Sequence, residues 1–119
     1  MKVFGSVDPY NRELLAYRRL DEHNVSEVIG FAVPRLIACD DSLSVIEMTM
    51  VQPPYVLDFA SAELDDDSDI PGGEDQWMEE LEQLFGDRQQ AVIDLYFRLR
   101  DKFGVCHKDL TPRNVNFGD

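Results

Sequence analysis

Two side chains near the end of the sequence have types and spacing suited to proton transfer and metal binding. Asp109 supplies a carboxylate and Asn114 a carboxamide, five residues apart in a polar segment that contains Pro112. A carboxylate can accept the proton of a hydroxyl group, and a carboxamide oxygen is a ligand for hard cations such as Mg²⁺. Because Pro112 restricts the backbone, a tight loop can face both groups into one pocket. With Arg113 available to contact phosphate, the pattern is typical of phosphoryl transfer.

A purely structural interpretation of the same segment stays open. Asp109 can cap a turn, Asn114 can bond to its own local backbone, and His107 can be a loop histidine with nearby partners. A third interpretation is an acidic α+β domain in which the pattern arose by chance. These alternatives differ in whether the three polar side chains meet across a cleft.

The first long element is a predicted helix that carries an unexpected carboxylate. Asp8 is expected to cap it, Pro9 to occupy its first position, and the helix to end at about Glu22. At 100° per residue, one apolar arc collects Tyr10, Leu14, Tyr17 and Leu20. Glu13 falls inside this arc, where a carboxylate is costly unless a cation meets it or its end extends past the rim to water.

The other elements follow from β-rich runs, helical spacing and turn residues. A short strand ends at Phe4, and two runs separated by a polar turn predict a hairpin, before Pro53 and Pro54 break the chain. The predicted elements after the first helix are strands at 33–38 and 43–51, helices at 74–84 and 87–103, and an extended piece at 105–106. Asp87 is expected to cap the last helix and Gly104 to end it. This order of elements predicts an α+β fold.

Composition excludes several classes of function. The 119 residues include 24 acidic and 11 basic side chains, which give a formal net charge of −13. Such a charge argues against a nucleic-acid partner and against a basic membrane-surface protein. The longest uncharged run has ten residues and two prolines, which predicts no membrane partner. With no apolar signal segment, and with Cys39 and Cys106 far apart, we expect reduced thiols and a cytoplasmic location.

The segment from His107 to Asn114 resembles the catalytic loop of the protein-kinase superfamily, H-R-D-L-x-x-x-N, with Lys108 in place of arginine. Upstream segments resemble the family in the same order. Lys2 resembles the lysine of V-A-I-K, Glu13 the glutamate of helix αC, and the run 51–55 the interlobe hinge, whose backbone holds adenine. The resemblance covers most of the chain, but the catalytic-loop segment is its one specific part.

The resemblance implies a partial kinase-like domain that uses ATP and Mg²⁺, with nucleotide as a binding partner. The implied catalytic residues are Asp109, His107, Lys2 and Glu13; the nucleotide contacts are Lys2, Gln52 and Arg113; and the metal ligand is Asn114. Within a single domain it divides the sequence into N-lobe-like strands and helix (1–51), a hinge-like linker (52–62), an acidic loop (63–75) and C-lobe-like helices with the catalytic loop (76–119). We therefore predict that Lys2 forms an ion pair with Glu13.

Two family motifs are not found at their usual places, namely a glycine-rich loop before Lys2 and D-F-G after Asn114. We therefore expect a fragment or truncated kinase-like phosphotransferase that on its own binds nucleotide weakly or not at all. The alternative function is a non-catalytic kinase-like binding module. In that case the acidic loop, which should be mobile, contacts a basic protein partner.

Overall fold

The computed structural model describes residues 1–66, 70 and 72–118. Its three helices are α1 (Val7–Glu22), α2 (Glu74–Phe85) and α3 (Gln89–Phe103). Its strands are β1 (Lys2–Val3), β2 (Glu27–Val28), β3 (Phe31–Ala32), β4 (Leu36–Asp40), β5 (Val45–Met48), β6 (Tyr55–Val56), β7 (Glu63–Leu64), β8 (Val105–Cys106) and β9 (Val115–Asn116). The predicted α+β class is confirmed. Among the described residues, no helix is both long and apolar enough to cross a bilayer.

Helix α1 packs its apolar arc into the core as its periodicity predicts. Tyr10, Leu14, Tyr17 and Leu20 are all buried, and Glu13 is buried among them with no exposed surface. The helix begins two residues earlier than expected, because Ser6 rather than Asp8 is the extended N-cap residue, and Asp8 lies in the first turn. Asp8 still acts favourably there, since a carboxylate near a helix N-terminus interacts with the helix dipole.

Three small sheets surround this helix. The first has the antiparallel order β1-β5-β4 and contains the predicted hairpin. Its first strand is shifted from 33–38 to Leu36–Asp40, and its second is shortened from 43–51 to Val45–Met48. The second has the order β2-β3-β6-β9, in which β3 and β6 are parallel and β6 and β9 are antiparallel. The third consists of β7 paired antiparallel with β8.

These pairings bring together two loops that lie far apart in the sequence. Loop A, residues 57–62, runs from β6 to β7, and loop B, residues 107–114, runs from β8 to β9. Because β6 pairs with β9 and β7 pairs with β8, both ends of loop A are fixed beside the ends of loop B. The predicted hinge-like linker (52–62) therefore contains a sheet strand and a 3₁₀ turn, Phe59–Ser61, and the acidic loop (63–75) includes β7 and the start of α2.

Helix α3 delivers the chain to loop B. Its buried face contains the expected apolar residues, Val92, Leu95, Tyr96, Leu99 and Phe103. The expectation that Asp87 caps α3 is wrong, because a 3₁₀ turn, Gly86–Arg88, joins α2 to α3 and Arg88 is the N-cap residue. Gly104 ends the helix in the left-handed region with φ of 71°, as predicted for a terminating glycine.

Candidate functional site

A lysine and two carboxylates meet between β1, α1 and loop A. The Lys2 Nζ lies 3.1 Å from Glu13 Oε1 and 3.0 Å from Oε2, which confirms the predicted ion pair. Lys2 is aligned with Ile46 of β5, which is fully buried, so the strand directs both side chains toward α1. Glu13 has no exposed surface, whereas the Lys2 side chain is 34% exposed. The partly exposed lysine therefore pairs with a carboxylate that solvent does not reach.

The second carboxylate is Asp58 of loop A, which the sequence analysis assigned no role. Its Oδ1 lies 2.8 Å from the same Lys2 Nζ. Asp58 has φ of 64°, a left-handed conformation that short polar residues adopt more readily than other non-glycine residues. Such a local conformation at a charged residue is often found at functional sites. The available sequence signal was the run Asp58-Phe59 after a β-rich pair, which resembles the start of D-F-G in an unexpected place.

Opposing effects act on the Glu13 carboxyl. Burial raises its pKa above the ordinary glutamate range, while the charge and hydrogen bond of Lys2 lower it. The nearby negative charge of Asp58 also raises the pKa. Removing the Lys2 ammonium would therefore leave two carboxylates close together, one of them fully buried.

His107 connects loop B to loop A from a fully buried position. Its Nδ1 accepts the Asp109 backbone N–H at 3.3 Å, and its Nε2 lies 3.4 Å from the Leu57 carbonyl oxygen. Because Nδ1 accepts a hydrogen bond, we assign the proton of the neutral imidazole to Nε2, which donates to Leu57. Burial lowers the pKa of His107, which favours this neutral form.

Aromatic packing continues the same connection toward α1. The Phe59 ring contacts Tyr17 with a centroid distance of 5.3 Å and the His107 ring with a distance of 4.9 Å. Tyr17 lies one helical turn after Glu13, so a continuous buried column joins α1, loop A and loop B. This column fixes the positions of Asp58 and Asp109 relative to the helix that carries Glu13.

Asn114 closes loop B and presents an oxygen with no partner. Its Nδ2 donates to the Asp109 carbonyl oxygen and, at 3.4 Å, to Asp109 Oδ2. Its backbone carbonyl accepts the Leu57 N–H at 2.8 Å, which is a second direct bond between the loops. Asn114 is fully buried, and its Oδ1 has no hydrogen-bond partner in the described structure. A buried acceptor without a partner is costly, so this oxygen is a candidate metal ligand.

Two oxygen donors on the joined loops, Asn114 Oδ1 and the Asp58 carboxylate, are candidates to hold Mg²⁺. No group of three or more His, Cys, Asp or Glu side chains suited to a metal ion occurs among the described residues. Mg²⁺ is usually held by one or two carboxylates together with substrate phosphates and water, so a dedicated protein cage is not needed. The Asp109 carboxylate of loop B is a third oxygen donor, and it is exposed.

Two other residues of the predicted site, Gln52 and Arg113, lie outside this group, and so does the neighbouring Lys108. Gln52 and Arg113 are exposed, and no hydrogen bond or ion pair to loop A or to Asp109 is found for either one within the described ranges. The Lys108 side chain contacts Asp66 and lies 3.5 Å from Glu63, so its ammonium group is paired with carboxylates of the acidic loop. His107 and Asn114 of loop B contact Leu57 of loop A directly, and Asp109 is bonded to both of these residues within loop B.

A wide surface groove is located elsewhere. It has a volume of about 700 Å³ and lies between the β2–β3 turn and α3, lined in part by Ile29, Phe31, Phe97 and Arg98. None of its lining residues belongs to loop A, loop B or the Lys2–Glu13 pair. The groove therefore does not support the chemistry predicted for loop B.

Comparisons with protein-family models, with curated proteins and with solved structures found no match to this chain.

Proposed function

We propose that the chain is a kinase-like phosphotransferase module whose ATP·Mg²⁺ site is formed by loop A and loop B together. The observation that carries the proposal is Lys2 Nζ in contact with both Glu13 and Asp58. Kinase-type phosphoryl transfer requires a lysine–glutamate pair, an aspartate and an asparagine for metal ions, and an aspartate for the attacking hydroxyl. Five side chains of these types, Lys2, Glu13, Asp58, Asp109 and Asn114, occur at the two loops and the adjoining helix and strand.

Each residue then has a specific task. Asp109 accepts the proton of the substrate hydroxyl. Asn114 positions Asp109 through the hydrogen bonds that its Nδ2 donates to the Asp109 carbonyl oxygen and Oδ2. Asp58 and Asn114 Oδ1 would hold Mg²⁺, which when bound neutralises the charge that develops on the transferred phosphoryl group. Lys2, positioned by Glu13, would contact the phosphates. His107 does not touch the substrate but positions Asp109 and Leu57.

In this proposal, Asp58-Phe59-Ala60 takes the place of D-F-G although it precedes loop B in the sequence. In kinases the order is reversed, because H-R-D comes first. The strand pairings β6–β9 and β7–β8 support this proposal, since they align both ends of loop A with the ends of loop B whatever the order of the two loops in the sequence. Asp58 would then take the role of the metal-binding aspartate that the family carries after its catalytic loop.

The proposal retains the expectation of weak nucleotide binding. A net charge of −13 disfavours a polyanion such as ATP. We therefore expect binding to require Mg²⁺, which reduces the charge of the nucleotide.

The alternative, a binding module whose acidic segment contacts a basic partner, receives less support. Asp65 is bonded to both terminal nitrogens of Arg19, and Asp66 is bonded to Lys108. These two carboxylates are satisfied within the chain, so they have less to gain from an external cation. Residues 67–69 and 71 of the predicted mobile loop lie outside the described residues.

Titration calorimetry with ATP, with and without Mg²⁺, tests the proposal. We expect Mg²⁺-dependent binding in the unmodified chain and a loss of at least tenfold in Asp58→Asn, because the amide cannot supply the carboxylate charge. Asp101→Asn, an exposed change on α3, is the control and should bind as the unmodified chain does. Equal binding by Asp58→Asn and the control, or binding that is independent of Mg²⁺, would contradict the proposal.

A further inference from the structure

A small cavity lies between α2 and α3 next to Lys108 of loop B. Its volume is about 120 Å³, and it is lined by Ile70, Trp77, Glu80, Tyr96 and Lys108. A dry cavity of about 150 Å³ accepts benzene, so this one accepts a somewhat smaller group. The volume suits a small molecule or ion of about five heavy atoms.

Two aromatic rings and a carboxylate define the chemistry of the cavity. The Trp77 and Tyr96 rings meet at an angle of 56° with their centroids 4.8 Å apart, so they form adjoining walls. Glu80 lies three residues after Trp77 on α2, which places both side chains on the same side of the helix. Aromatic faces attract cations, and a carboxylate supplies the countercharge.

Lys108, the one cation among the described residues that line the cavity, is already neutralised. The Lys108 ammonium contacts Asp66 and lies 3.5 Å from Glu63, so two carboxylates offset its charge. The net charge of −13 adds a field that favours cations over anions. An anion in the cavity would face Glu80 without a free cation to balance it.

We propose that this cavity binds a small methylated ammonium ion, with Trp77 and Tyr96 contacting the methyl groups and Glu80 balancing the charge. Cation–π contact is the established way in which proteins recognise quaternary ammonium groups. The proposal does not depend on phosphoryl transfer at loops A and B, since neither Asp58 nor Asp109 lines the cavity.

The test uses Trp77, the one tryptophan of the sequence, as a fluorescent reporter. The full chain is titrated with tetramethylammonium chloride at constant ionic strength, and sodium chloride and neopentyl alcohol serve as the cationic and neutral controls. We expect a saturable change in emission with tetramethylammonium alone. Glu80→Gln should weaken binding about three- to fivefold, while Glu79→Gln, an exposed neighbour on α2, should leave it unchanged.

Two results would overturn the proposal. Absence of saturation would assign the aromatic pair to helix packing alone, and equal binding of neopentyl alcohol would show that charge is not recognised. Sedimentation with phosphatidylcholine vesicles distinguishes a free cation from a lipid head group. We expect the chain to stay in the supernatant, and co-sedimentation would contradict a free small-molecule ligand.

Discussion

At the scale of single residues, the contact between Lys2 and Glu13 carries the largest energetic consequence. Glu13 is fully buried, and its pKa is raised by burial but lowered by Lys2. A buried charge that loses its partner is strongly destabilising, although the 34% exposure of Lys2 lets water replace part of the interaction. The pair is therefore a structural requirement of the fold as well as part of the proposed site.

Lys2→Met should lower the free energy of unfolding by about 2–3 kcal/mol, because it leaves Glu13 buried without a cation. The double variant Lys2→Met/Glu13→Gln should recover part of this loss, since it removes the uncompensated charge. Urea unfolding of the unmodified chain, Lys2→Met, Glu13→Gln and the double variant measures both effects. A loss below about 0.5 kcal/mol in Lys2→Met, the size expected of an exposed pair, would show that water satisfies Glu13.

His107 should make stability depend on pH. Burial lowers its pKa in the folded state below the ordinary value of 6.5. Below about pH 6.5 the unfolded chain then binds more protons than the folded one, so the stabilising effect of the neutral imidazole is lost as the pH falls. His107→Gln should flatten the change in urea midpoint between pH 7 and pH 5.

His23→Gln is the matched control, because His23 is exposed and is the other histidine of the chain. It should keep the pH dependence of the unmodified protein. The same slope in His107→Gln and His23→Gln would mean that groups other than His107 cause the acid sensitivity.

At the scale of elements, ion pairs at the start of the acidic segment hold α1 and α3 together. Arg19 of α1 donates two hydrogen bonds to the Asp65 carboxylate, at 2.8 and 2.9 Å, and a third to the Phe103 carbonyl oxygen. Asp65 N–H in turn donates to the Gly104 carbonyl oxygen at 2.8 Å. These contacts converge on the glycine that ends α3.

Gly104→Ala should therefore cost about 1–2 kcal/mol of unfolding free energy. The residue has a left-handed φ of 71°, and an added Cβ would collide with the Asp65 carboxylate and lie 2.7 Å from Arg19 Nη1. Gly5→Ala is the control, because a Cβ there meets nothing within 4 Å. Chemical denaturation of both variants is the measurement, and equal stability of the two would contradict the described approach of Arg19 and Asp65 to α3.

The sequence predicted the elements that have a repeating pattern. The apolar spacing of α1 and α3 and the β-rich runs of the β4–β5 hairpin located these elements, with shifts of one to a few residues. Two-residue strands such as β6, β7 and β9 carry no periodicity, and their pairing depends on partners about 40 to 60 residues away. For that reason the sequence predicts a hinge-like linker where loop A lies. It indicates a functional role for Asp109 and Asn114 but none for Asp58.

At the scale of the whole molecule, the proposed site depends on segments from the beginning, the middle and the end of the sequence. Lys2, Asp58 and Asn114 are separated by more than 50 residues from one another, and they approach because α1 and the three sheets enclose one core. Bringing such distant segments together requires the entire fold. We therefore expect metal–nucleotide binding to be lost in the same cooperative transition in which the chain unfolds.

In the proposed site, Asp58 and Asn114 bind the same metal–nucleotide complex from two separate loops. Electron paramagnetic resonance of Mn²⁺ in the presence of ATP measures this shared binding, with Asp58→Asn, Asn114→Ala and the double variant compared after their folding is verified. We predict that each single change weakens Mn²⁺·ATP binding by at least tenfold and that the double change weakens it by much less than the product of the two, because both remove ligands of one ion. Independent effects that multiply, or single variants that bind as the unmodified chain does, would contradict a shared site.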